Sequence, residues 1–152
     1  MVDRSMLLTL LFQESYTKTK EAADLVSHEE SVRPFNADGL SMHWMVGHIV
    51  VSRCNFMMLL EVPSIWDWAT CKLFIPGSNP GPESDNQLDF AALLADLDRT
   101  QEPLLTALSQ CSDSELNVVK GDKSIAEEFA SYAAHESFHA GQLELFRQWL
   151  KK

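Results

Sequence analysis

Two histidines four residues apart, with a glutamate after the first, stand in the stretch His135-Glu136-Ser137-Phe138-His139. On a helix, positions four apart are separated by roughly 40° around the axis, so both imidazoles can converge on one ion. Neutral imidazole nitrogens suit a divalent metal of the zinc class. The same letters spell H-E-x-x-H, in which the histidines bind zinc and the glutamate is the general base of a metalloprotease. A catalytic zinc site takes a third protein ligand, and there the protease reading fails. Its extended form needs Gly at 142 and His at 145. This chain has Gln142 and Leu145, with Gly141 one place early. A glutamate ligand from a later helix has no room, because thirteen residues follow His139 and Glu144 lies on the same helix, pointing away from the pair.

The helix that carries the pair has a clear start. Ser124 and Glu127 form an S-x-x-E capping box, and the helix should run to about Leu150. Its inward stripe reads Ile125, Phe129, Tyr132, Glu136, His139, Leu143, Phe146, Leu150. Glu136 and His139 break an otherwise apolar stripe, and ionisable groups are costly to bury without partners.

Three further helices are predicted. Residues 3–27 read as amphipathic, with Met6, Leu7, Leu10, Leu11 and Ser15 inward and Asp3, Lys18, Lys20 and Glu21 in water. Pro34, Asp38 and Gly39 are turn signals after it. Ser41 caps a second helix over 42–61 that is apolar nearly all round, the pattern of a helix buried among others. Pro63 ends it. Residues 62–86 are irregular, broken by Pro63, Pro76, Gly77, Pro80, Gly81 and Pro82, yet they carry Trp66, Trp68, Phe74 and Ile75. A connection this long and apolar should pack down, as a lid over a site or as a cover for the core. A third helix over 88–110 presents Phe90, Leu93, Leu94, Leu97, Leu104, Leu105 and Leu108, with Pro103 expected to kink or split it. Ser112–Leu116 adds one short turn. No hairpin or alternating strand pattern stands out. The expectation is all-α: a four-helix bundle with a long connection between helices 2 and 3, one domain over 1–152.

The third ligand must come from upstream. His28 falls in a polar, solvated region. His43, in the first turn of the second helix, suits capping or packing. His48 sits in the middle of that apolar helix, beside Gly47, whose lack of bulk should let another helix come close. His48 is the expected third ligand, with His43 as the substitute.

Composition narrows the function classes. A net charge of −10 opposes tracking a phosphate backbone or an anionic membrane surface. The MLLTLLF run near the start is too short to span a membrane and lacks the flanks of a signal peptide. Cys54, Cys71 and Cys111 are odd in number and without a C-x-x-C pair, which fits reduced thiols and a cytoplasmic location.

Trp44-x-x-Gly47-His48 and His135-x-x-x-His139-x-Gly141-Gln142 together resemble the DinB-like (DinB/YfiT) superfamily of metalloenzymes. The resemblance covers nearly the whole chain, and the pair of motifs is more specific than either alone. It implies a bundle with a metal site formed by His48, His135 and His139, completed by water or substrate. It also implies a homodimer and, in some members, transfer of low-molecular-weight thiols such as bacillithiol, or use of mycothiol in isomerisation. Many relatives carry Arg or His after the second ligand, where this chain has Ala140. That departure weakens transfer of any particular substrate.

The expected function is a metal-dependent transferase or hydrolase acting on a small molecule, with zinc or nickel at three histidines. A non-catalytic metal- or small-molecule-binding bundle is the alternative. Glu136 could serve as general base or orient a ligand imidazole, and Gln142, about one turn after His139, could do the latter. For both, the orienting role is the expected one.

Overall fold

The computed structural model describes residues 3–37, 39–78 and 88–151. Asp38, Pro80, Gly81 and Pro82, among the turn signals and breakers above, lie outside the described residues. The described chain is mostly helical, as expected. Helix α1 spans Arg4–Ala23, its first turn held by the Asp3 carboxylate accepting from the Met6 amide. A single turn, α2, follows at His28–Ser31 with a Ser27/Glu30 capping box. Ser41 caps α3, Met42–Leu59, by accepting from the Trp44 amide. The connection after Pro63 is not wholly irregular. It forms a short helix, α4 (Trp68–Cys71), which runs straight into a 3₁₀ turn, Lys72–Phe74.

Helix α5 spans Phe90–Ser109 and continues through Pro103 without a break. Pro103 is exposed. On the outer face of a helix, water can satisfy the carbonyl that the missing N–H leaves free, so the expected split does not occur. After the one-turn α6 (Asp113–Leu116), a small hairpin pairs β1 (Val119–Lys120) with β2 (Lys123–Ser124). Its two-residue loop places Gly121 at φ 71°, a conformation that favours glycine. The strands are two residues each, too short to show alternation. Ser124 ends the hairpin and also caps α7, Ile125–Leu150, through the expected Ser124/Glu127 box.

The four long helices pack in a ring of neighbours: α1 on α7 and α5, and α3 on α5 and α7. The inward face of α1 differs from the expected one. Ser5, Leu8, Phe12, Ser15, Thr19, Ala22 and Ala23 are buried, whereas Met6, Leu7, Leu10 and Leu11 are exposed. The apolar run populates both sides of the helix, so hydropathy alone does not choose between them. Small residues choose: Ser5, Ser15, Ala22 and Ala23 let α1 lie close against its neighbours.

Buried apolar side chains form two clusters. One gathers around Met45, Ile49, Phe74, Leu93 and Leu97, the other around Phe12, Phe56, Leu104, Leu108 and Phe129. Between them, each long helix contributes buried polar groups. Arg53 of α3 donates Nε–H to Glu136 Oε2 at 2.8 Å and Nη2–H to Glu136 Oε1 at 2.6 Å. Its Nη1 donates to Thr100 Oγ1 at 3.1 Å and Gln101 Oε1 at 2.6 Å, both on α5. On α1, the Phe12 carbonyl accepts from Nη2 at 3.4 Å, and the Ser15 hydroxyl donates to Glu136 Oε1 at 2.7 Å. All five guanidinium N–H groups are thereby used. An ion pair in this setting is stabilising only because its remaining lone pairs and protons are also satisfied.

Candidate metal centre

Three helical turns supply the cluster. His48 projects from the buried middle of α3, and His135 and His139 occupy successive turns of α7. Their Nε2 atoms point together: His48 to His135 is 3.2 Å and His139 to His135 is 3.1 Å. The ligand atoms of the three all lie within 4.8 Å of one another.

The other ring nitrogens are held from behind. His48 Nδ1 lies 2.8 Å from the Phe74 carbonyl oxygen, which can only accept, so Nδ1 carries the proton and Nε2 a lone pair. His139 Nδ1 meets Gln142 Oε1 at 2.7 Å, with the same consequence. His135 Nδ1 faces the Ser52 hydroxyl at 3.4 Å. Two lone pairs are thus aimed at His135 Nε2, where a single proton can satisfy only one of them. The donor set is short of one positive centre and fits a bound cation. Burial pushes His139 down to about 4, against the Gln142 bond, which favours its charged form. Burial, and then His48, also lower His135. Neutral imidazole is the form that binds metal.

The connection places the Phe74 carbonyl. Phe74 packs directly on Gly47; a Cβ at that position would clash with the aromatic ring. Glycine therefore serves here to admit the 3₁₀ turn rather than another long helix. Trp44, one turn before His48, stacks on its imidazole at 4.8 Å and 9°, and its Nε1–H donates to Ser78 Oγ at 2.9 Å. That bond pins the far end of the turn.

His43 is not brought to the cluster. Its Nε2 donates to the Leu88 carbonyl at 2.6 Å and its ring packs among His28, Phe74 and Phe90. His28 is partly exposed and accepts from the Phe90 amide at 3.1 Å. Gln142 lies where an orienting role needs it. Glu136 does not face the histidines with either oxygen. Both are engaged by Arg53 and Ser15 at 1% residue exposure. Sequence reasoning passed over Arg53. The available signal was an arginine inside a helix apolar on every side. Ser52 and the Phe74 carbonyl gave no signal, because their roles depend on tertiary approach.

Between α3 and α7, a groove of about 370 Å³ runs to the cluster and is lined by His48 and His135 at that end.

A helical chain that gathers three imidazole nitrogens from its second and last long helices matches the class the two motifs indicate. The family model for the DinB superfamily matches residues 11–143, and the chain belongs to that superfamily. No curated protein and no solved structure matches it.

Proposed function

We propose that this protein is a metal-dependent enzyme acting on a small molecule, with His48, His135 and His139 holding one divalent ion, zinc or nickel. The observation that carries the reading is the convergence of three Nε2 atoms whose partner nitrogens are engaged elsewhere. Such an ion, when bound, supplies Lewis acidity that turns a thiol or water into a nucleophile near neutral pH. The reaction class is therefore thiol S-transfer or hydrolysis. The chain's own residues hold the ring protons on Nδ1, through the Phe74 carbonyl and Gln142, and shield one side of the cluster with Trp44 and Phe74. The groove leaves the other side open to a substrate, which favours catalysis over a closed binding site.

The same reading takes Glu136 as a tie to Arg53 and not as a base, because both its oxygens are already bonded in the core. It takes the four long helices as one four-helix bundle and one domain. The exposed Met6, Leu7, Leu10 and Leu11 on α1 support a homodimer. The three free cysteines, two of them buried, suit a cytoplasmic protein. No described helix is long and apolar enough to cross a membrane.

Elemental analysis of tag-free protein reconstituted with zinc or nickel should find about one ion per chain. No retained ion would sink the metal reading. Activity of the loaded protein should then be sought against electrophiles with several thiols supplied in turn, and against hydrolysable esters and amides.

A further inference from the structure

The groove beside the histidines has a chemical polarity of its own. Helices α3 and α7 run antiparallel there, as the ring pairs His48–His139 and Phe56–Phe129 show. Leaving the cluster, α3 contributes Val51, Ser52 and Asn55 while α7 contributes Tyr132, Ser131 and Glu128. Asn55 is seven residues beyond His48, and Glu128 seven before His135. Two helical turns put that end of the groove about 10 Å from the histidines. Val51, Ile75 and the Tyr132 ring give the stretch between an apolar wall.

Glu128 is the one carboxylate lining this groove among the described residues, and no lysine or arginine lines it. Residues 79–87, outside the described set, contain no lysine or arginine either, so they bring no cation wherever they run. Among the described residues Glu128 makes no ion pair or side-chain hydrogen bond. Lys120 and Lys123, which share a separate cavity with it, do not pair with it. The capping of α7 does not need it, since Glu127 fills that role.

We infer that the substrate of this site is an extended amine: a molecule whose reacting group lies at the histidines and whose ammonium, about 10 Å away along an apolar stem, pairs with Glu128 beside Asn55. The inference rests on the metal-site reading above and makes Glu128 a specificity-determining residue. A carboxylate at the far end of the stem is disfavoured, because no lysine or arginine lines the groove there while Glu128 repels it.

The test uses full-length zinc-loaded protein and calorimetric titration with three hydroxamates of equal length: 6-aminohexanohydroxamic acid, the monohydroxamate of adipic acid, and hexanohydroxamic acid. Acetohydroxamic acid, too short to reach Glu128, reports the metal alone. The amine should bind about tenfold more tightly than the carboxylate at low salt, with the alkyl compound between. Glu128→Gln should collapse that order to within about twofold. Equal binding of the three, a preference for the carboxylate, or an order unchanged in E128Q overturns the amine assignment while acetohydroxamate binding leaves the metal site standing. Failure of acetohydroxamate and all three probes to bind removes the metal-site reading and the amine assignment with it.

Discussion

His139 shows how one side chain can report both the apo fold and the site. Burial holds its folded pKa at about 4, well below the 6.5 of an ordinary imidazole. Between those values the unfolded chain binds more protons than the folded one, so stability rises with pH across that window. Metal-free protein should therefore lose urea resistance as pH falls from about 6.5 towards 4, and His139→Gln should flatten that part of the profile. At pH 7.5, zinc affinity should drop at least about 100-fold in His48→Ala, His135→Ala and His139→Ala, since each removes a proposed ligand. His43→Ala should leave it within about threefold, because that ring bonds to Leu88 and packs away from the cluster. Equal losses in H43A and H48A would mean that the cluster is misassigned. At this scale the sequence was most informative about the histidines, because helical spacing alone brings 135 and 139 together. Glu136 was misleading for the same reason. Its place in the motif suggested chemistry, while its true partner, Arg53, is eighty-three positions away.

At the scale of elements, the contact between Gly47 and Phe74 links the connection to the site. Gly47→Ala should displace the aromatic ring and cost about 1–3 kcal/mol, as overpacking does. It should also weaken zinc binding, because the Phe74 carbonyl moves with its ring and His48 loses its acceptor. Paired with Phe74→Ala, which makes room, the G47A protein should regain stability but not zinc affinity in full. Thermal melts and calorimetry on the three proteins read both effects. If G47A binds zinc as the wild type does, the carbonyl is not what orients His48. Helix starts were legible at Ser41 and Ser124 because a cap is a local interaction. The inward face of α1 was not, since its choice depends on which neighbours fit against Ser5, Ser15 and Ala22. The hairpin at Val119–Ser124 escaped because four strand residues carry no periodicity.

For the whole molecule, the apolar residues left on α1 bear on assembly. Replacing Leu7 and Leu10 with Glu should convert the proposed dimer to a monomer by sedimentation equilibrium without loss of helicity. A monomeric wild type would remove that part of the proposal. The layer of Arg53, Glu136, Ser15, Thr100 and Gln101 concerns the chain as a whole in another way. Breaking it from one side, by Glu136→Ala, should cost about 3–5 kcal/mol, as removal of one partner of a buried ion pair does. Beyond that cost lies an effect on folding cooperativity. The guanidinium is fully compensated only when α1, α3, α5 and α7 are all in place, so a half-assembled chain carries a desolvated charge with too few partners. Such species are disfavoured, and the layer sharpens unfolding into a single step. Substituting Met for Arg53 together with Leu for Glu136 can leave the midpoint close to that of the wild type. The denaturant slope should nevertheless fall and transitions followed by different probes should separate, because the two apolar clusters could then melt on their own terms.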